Sequence, residues 1–273
     1  MDDILIVKAL DKFFQAEANA DGRVVLDGVD FTVGKGEFVG VLGASGSGKS
    51  ALMGILMGLD NASGGSAFVD GRDVTRMPKD EVVVFRREKI GMLFRDYKLL
   101  ENLTAKENIA LPLILNGKSP GEIDVLVDGM MDFLGIEWLG ERAVYDLSDE
   151  EKQQVAAARV LVVNPVILLA DEPTGNMNSF SAENILQMLT VMNEDSGTTI
   201  LMATHDPFVV SYCQRVLFMR DGKIVAEIKR GGDRVAFLEN ILAAELKLRT
   251  FATFEGSKPS DELSTADDEE FAK

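Results

Sequence analysis

The residues best suited to chemistry lie in one run, Gly43-Ala44-Ser45-Gly46-Ser47-Gly48-Lys49-Ser50, which fits the spacing G-x-x-x-x-G-K-[ST]. Glycines at Gly43, Gly46 and Gly48 let the backbone curl until its N–H groups face a phosphate at the positive end of the following helix. In this pattern Lys49 reaches the β- and γ-phosphates of a nucleotide and the Ser50 hydroxyl ligates Mg²⁺, with Ser45, Ser47 and the adjoining Ala51 completing the cradle. A second run, Leu168-Leu169-Ala170-Asp171-Glu172, is apolar until it ends in two carboxylates. In phosphate-loop enzymes such an Asp171 holds Mg²⁺, directly or through water, and Glu172 is placed to polarise a water for attack on the γ-phosphate. The single histidine, His205, follows another apolar segment in Ala203-Thr204-His205-Asp206, where a parallel sheet delivers ligand-facing groups.

These groups need strands behind them and helices in front. Residues 4–7, 24–33 and 37–42 read as strands, and 49–59 as a helix leaving the glycine turn. From about 90 to 147 the pattern, after a strand at 90–94, is mostly helical, broken at Pro112 and at Gly117–Gly121. A helix at 149–163 precedes Asn164-Pro165 and the apolar run 166–170, whose lack of alternation suits a strand covered on both faces. Helix 181–194, strand 198–203, a short helix 207–213 and a hairpin around Asp221-Gly222 follow. Strands alternating with helices predict an α/β fold with a largely parallel sheet and an inserted helical subdomain.

Composition narrows the function. The chain has 28 Lys+Arg against 45 Asp+Glu, a net charge of −17, which opposes a nucleic-acid surface but leaves room for one nucleotide pocket. One cysteine, Cys213, excludes an internal disulfide and a multi-cysteine zinc site, and reads as a buried thiol in a reducing compartment. Met1-Asp2-Asp3 is acidic where a signal peptide is basic, and no apolar run approaches the ~18 residues of a membrane span. The expectation is a cytoplasmic chain that meets any membrane through a partner.

Further stretches carry a family likeness: Tyr97-Lys98-Leu99-Leu100-Glu101-Asn102-Leu103-Thr104, Glu107-Asn108-Ile109, Leu111-Pro112-Leu113 and Ala170-Asp171-Glu172-Pro173-Thr174-Gly175-Asn176. With the phosphate loop, they make residues 3–230 resemble the ATPase subunit of an ABC transporter, nearest the group serving lipoprotein release, cell division and macrolide efflux (LolD, FtsE and MacB). The resemblance implies a phosphate-loop NTPase core at 1–90 and 155–232 with N-terminal antiparallel strands, and a helical subdomain at 91–154. A C-terminal helix at 233–250 and an acidic, disordered tail at 251–273 complete the expected organisation. It implies an ATP hydrolase using ATP and Mg²⁺, in which two subunits sandwich two ATP molecules between the phosphate loop of one and the signature loop of the other. It also implies a peripheral position on the cytoplasmic face of the inner or plasma membrane. There the partners are permease-like subunits on separate chains and a second ATPase subunit of the same or a different chain. On this reading Phe14 stacks on adenine, His205 contacts the γ-phosphate, and the loop near Arg95 couples to the membrane partner.

The departures from the family pattern are specific. Where the signature reads Leu-Ser-Gly-Gly-Glu/Gln, this chain has Leu147-Ser148-Asp149-Glu150-Glu151. Ser148 with Glu151 forms a capping box that satisfies donors a facing phosphate would use. Asp149 and Glu150 add ~0.3–1 kcal/mol each to the helix while repelling that phosphate. Arg95 stands in place of a Gln and cannot ligate metal or accept a hydrogen bond. Asn178 replaces an Asp, and Ala51 a Thr or Ser.

Two arrangements follow. In one, the chain joins an unequal pair whose second site binds ATP without efficient turnover. In the other, it is a weakly hydrolysing or non-hydrolysing structural adaptor, a homodimer in which Arg95 neutralises Asp149 or Glu150 of its neighbour. A soluble ABC ATPase of DNA repair or translation lacks support, since no coiled-coil insertion or second ATPase domain is visible. A small-molecule kinase lacks it too, for want of a phosphate-acceptor lid. The methionines read as core filler, Arg86, Arg87 and Lys89 as a solvated face, and Trp138 as a packing residue.

Overall fold

Alternating apolar and polar side chains draw the N-terminal residues into an antiparallel sheet. Strand β1 (Asp3–Phe14) buries Leu5, Val7 and Leu10, and pairs with β2 (Arg23–Gly34), which buries Leu26, Val29, Phe31 and Val33. The structure, a computed structural model, describes residues 3–14 and 22–255, with side chains described through Leu248. β1 is much longer than the four-residue strand expected at 4–7: Ala9, at φ 42°, marks a register shift between Val7 and Leu10 that carries the strand past the charged Lys8.

The second sheet is built from β3 (Phe38–Leu42), β6 (Ile90–Phe94), β7 (Ile167–Asp171), β8 (Ile200–Thr204), β9 (Arg215–Arg220) and β10 (Lys223–Lys229). Its order is β10-β9-β3-β8-β7-β6, parallel throughout except for the β9–β10 hairpin. Asp221 and Gly222 turn that hairpin at φ 48° and 78°, as a two-residue loop requires. β3 and β8 are buried at every residue, which explains their uninterrupted apolar runs.

Residues 60–89 hold three elements the sequence pattern hid: β4 (Gly64–Val69) and β5 (Arg72–Asp73), which extend the antiparallel sheet to β2-β1-β4-β5, and helix α2 (Lys79–Lys89). β4 starts in Gly-Gly-Ser, which has little strand propensity, and α2 buries only Phe85 and so shows no apolar stripe.

Helix α1 (Lys49–Leu56) buries Leu52, Met53, Ile55 and Leu56 between the two sheets. Truncating one such residue to Ala costs about 2–5 kcal/mol. Helices α6 (Ser179–Ser196), α7 (Pro207–Val210) and α8 (Arg234–Glu255) cover the opposite face of the parallel sheet. A third core lies among α3 (Ala105–Leu115), α4 (Pro120–Leu134) and α5 (Asp149–Leu161). Helix α5 serves two cores at once, turning Val155 and Ala158 to the helical cluster and Ala156, Ala157 and Val160 to the sheet.

Some smaller expectations change. The short helix stops at Val210, and α8 passes residue 251, where the tail was expected to begin; residues 256–273 lie outside the described residues. Trp138 is not a packing residue: it is 61% exposed, with the Arg142 guanidinium 5.5 Å from its ring centroid. Of the three cations before β6, Lys89 sits 3.6 Å from Asp70, and Arg86 donates to the Gly58 carbonyl at 3.4 Å. Cys213 is fully buried, and that burial pushes its thiol well above the ordinary range. Among the described residues no helix is long and apolar enough to cross a membrane.

Candidate functional site

The turns after β3, β7 and β8 emerge side by side at the carboxyl edge of the parallel sheet. The first is the glycine-rich turn. At Gly48 φ is 109°, and a Cβ would lie 2.7 Å from the Val25 carbonyl oxygen; at Gly43 one would lie 2.3 Å from that of Met219. Neither position admits a side chain. Helix α1 then begins with no side-chain cap and no acidic residue in its first turn. Among the described α-helices it is alone in having neither: the others have an acidic first turn or a capping side chain. Its first N–H groups are therefore left for an external anion.

Lys49 is buried to 6% exposure and donates to the carbonyls of Gly43 at 2.7 Å and Ala44 at 3.1 Å. Burial pulls its pKa below the ordinary lysine value against the opposing charges of Glu172 and Asp171. Asp171 ends β7, and burial followed by the Glu172 charge raises its carboxyl above the usual range, against the pull of the Ser50 hydroxyl and Lys49. Its Oδ1 is buried without a hydrogen-bond partner, as is Ser47 Oγ. An orphaned carboxylate oxygen beside the Ser50 hydroxyl suits a hard cation such as Mg²⁺. Among the described residues no cluster of three or more His, Cys, Asp or Glu could hold a metal ion.

Glu172 sits at φ 48°, a left-handed conformation that a non-glycine residue keeps only when its surroundings impose it. Its Oε2 accepts from Thr204 Oγ1 at 2.9 Å, and its Oε1 lies 2.8 Å from His205 Nδ1. Gln153 of α5 ties the turns together, donating through Nε2 to the carbonyls of Pro173 at 2.6 Å and Phe94 at 3.3 Å.

These turns open on a cavity of about 410 Å³ lined by Lys49, Ser50, Ala51, Arg95, Glu172 and His205, with Ser45, Gly46, Gly48 and Phe14 also on its wall. Gly43, Ser47 and Asp171 do not line it; Gly43 supplies a carbonyl to Lys49, and Asp171 carries charge felt by Lys49. Phe14 is 53% exposed, with the Lys12 ammonium 5.0 Å from its ring centroid. Two lining residues escaped the sequence reading, Arg23 and Val25. Arg23 pairs with Phe14 across the β1–β2 register, a relation no local motif reports.

Ser148 is not brought to this cavity. It caps α5: its N–H donates to Glu151 Oε2 at 2.6 Å, and Glu151 N donates back to Ser148 Oγ at 3.3 Å. Arg142 donates to Glu151 Oε1 at 2.8 Å, and Asn184 to Glu150 Oε1 at 2.9 Å. Burial raises the Glu151 pKa, but the Ser148 amide and Arg142 outweigh it and hold the carboxyl below its usual value. Tyr97 lies beside the same helix start; burial and then the Asp149 charge push its phenol up to about 12. Asn178 caps α6, accepting from Ser181 N at 3.0 Å.

Comparison with known proteins agrees with this geometry. Residues 26–175 match the ABC transporter family. The chain is 37% identical over 240 residues to the uncharacterized ABC transporter ATP-binding protein YvcR of Bacillus subtilis, covering 88% of this chain and 93% of that one. It is 40% identical over 222 residues to the bacitracin export ATP-binding protein BceA of Halalkalibacterium halodurans, covering 81% and 88%. The dimeric post-hydrolysis structure of the ATP-binding cassette MJ0796, bound to ADP and Pi, superposes with a TM-score of 0.75 at 33% identity, covering 84% of this chain and all of that one. By the match over residues 26–175 and the identity to these relatives along most of both chains, this chain belongs to the ABC transporter family, as one of its ATP-binding proteins.

Proposed function

We propose that this chain binds and hydrolyses ATP as the nucleotide subunit of a transporter whose membrane-spanning part lies on separate chains, and that the nucleotide site completed by its own α5 is the weaker of a pair. The observation that carries the second half is the pair Asp149 and Glu150, which stand in the first turn of α5 where the family signature has two glycines. Their carboxylates favour the helix and repel a facing γ-phosphate, on a start that Ser148 and Glu151 already cap. The likeness to a bacitracin export ATP-binding protein supports a role in export.

The chemistry follows from the cavity. Lys49 leaves the Gly43 and Ala44 carbonyls to meet the β- and γ-phosphates, the α1 N–H groups receive phosphate oxygens, and Phe14 stacks on the base. Ser50 and Asp171 would hold Mg²⁺, which when bound neutralises charge on the phosphates. Glu172 orients the attacking water and accepts its proton; Thr204 and His205 fix the carboxylate for that task.

The test is Glu172→Gln in the chain assembled with its permease. Phosphate release is expected to fall by ~10²–10⁴-fold while ATP remains bound. Unchanged phosphate release in the variant, or none in the wild-type complex, would overturn the catalytic reading.

A further inference from the structure

Arg95 lines the nucleotide cavity and is clamped there from two sides. It leaves β6 directly after Phe94, the register partner of Asp171, so it belongs to the part of the cavity that holds Asp171 and Glu172; Phe14 and Arg23 come from the other sheet. Its Nε donates to Asn176 Oδ1 at 2.7 Å, and Asn176 Nδ2 donates back to the Arg95 carbonyl at 3.0 Å. The backbone of Gly175 lies against the stem, where a Cβ would come within 2.9 Å of Arg95 Cδ and Nε. The clamp uses one N–H, and no carboxylate among the described residues forms an ion pair with the guanidinium. A guanidinium only donates, keeps its charge at any working pH and matches the paired oxygens of a phosphate. It can neither ligate a metal nor accept a bond from water, so the partner it suits in this cavity is an anion.

We propose that Arg95 reads the terminal phosphate: it donates to the γ-phosphate, makes the site prefer a nucleoside triphosphate to the diphosphate, and depends on Asn176 as a positioning residue. This rests on the nucleotide-binding reading above.

Calorimetric titration of the full chain with Mg-ATP and with Mg-ADP, in the wild type and in Arg95→Gln, Arg95→Lys, Asn176→Ala and Lys49→Ala, tests it without relying on turnover. Arg95→Gln is expected to weaken ATP about tenfold and leave ADP within about twofold. Arg95→Lys, which keeps the charge and loses the fork, recovers part of the ATP affinity, and Asn176→Ala loses part of it, again for ATP alone. Retained ADP binding shows that the Arg95 and Asn176 variants are folded. Equal weakening of ATP and ADP, or no change in either, overturns the role of Arg95 and leaves the nucleotide site standing. A wild-type chain that binds neither nucleotide, or a Lys49→Ala chain that binds both normally, overturns the reading of the site itself.

Discussion

Two helix starts in this protein have opposite designs. At the start of α1 the polar groups are left unspent: there is no cap and no acid, Ser47 Oγ and Asp171 Oδ1 are buried without partners, and Lys49 rests on two loop carbonyls it can exchange for a ligand. At the start of α5 the side chains are spent on one another: Ser148 and Arg142 pair with Glu151, and Asn184 with Glu150. The second arrangement matches its helical neighbours: α3 starts with the same box between Thr104 and Glu107, and in α4 Glu122 accepts from Ser119 N at 3.0 Å. A helix start built to receive an anion must carry unsatisfied donors until the anion arrives, and one built for stability cannot. The open design costs stability where the ligand is absent, and so it appears where binding returns it.

The contrast predicts separable losses. Lys49→Ala is expected to lower nucleotide affinity by at least ~10²-fold, in line with removal of a single preorganised charge donor, while the thermal midpoint of the free chain moves little. Ser148→Ala should do the reverse, costing about 1 kcal/mol of stability with nucleotide affinity unchanged. Calorimetry and thermal melts on the same two proteins decide it; weakened binding in Ser148→Ala would erase the distinction.

Reopening α5 is a smaller, double-edged change. Asp149→Gly combined with Glu150→Gly removes two favourable helix charges and adds two flexible residues, a loss of about 2 kcal/mol. The same change is expected to raise ATP-dependent association of the cassettes, measured by size-exclusion chromatography with light scattering in the Glu172→Gln background. Association no stronger than in Glu172→Gln alone would mean that the signature acids do not limit closure.

The smallest effect is a pH signature. Because the folded pKa of Glu151 lies below its ordinary 4.5, its stabilisation is present above that pH and disappears as pH falls through the lower folded value. Glu151→Gln should therefore melt slightly below the wild type at pH 7, with the gap closing only below about pH 4.5. A gap independent of pH would assign the stabilisation to shape rather than charge.

Much of this was legible in the chain. The spacing from Gly43 to Ser50 fixed a phosphate loop because that backbone path tolerates few residue types, and Ser148 with Glu151 announced a capping box because both partners lie within one turn. Elements with a mixed surface were harder: α2 buries a single residue and β4 opens on glycines, so neither carries a periodic signal. Arg95 illustrates the division within one residue. Its type showed that it could neither ligate metal nor accept a bond, but the Asn176 clamp, the Gly175 backbone and its place on the cavity wall bring together parts of the chain separated by |i−j| = 81.

Local covalent and hydrogen-bonding rules thus settled, from the order of residues alone, that one helix start is open and the other closed. Which groups gather around the open one was decided by the order of the parallel sheet, which sets β8 beside β3 and β7 beside β8 and so delivers Asp171, Glu172 and His205 to the side of the glycine turn. That convergence, like the pairing of Arg23 with Phe14, depends on strand register across long stretches of chain, and register is a property of the packed sheet rather than of any segment within it.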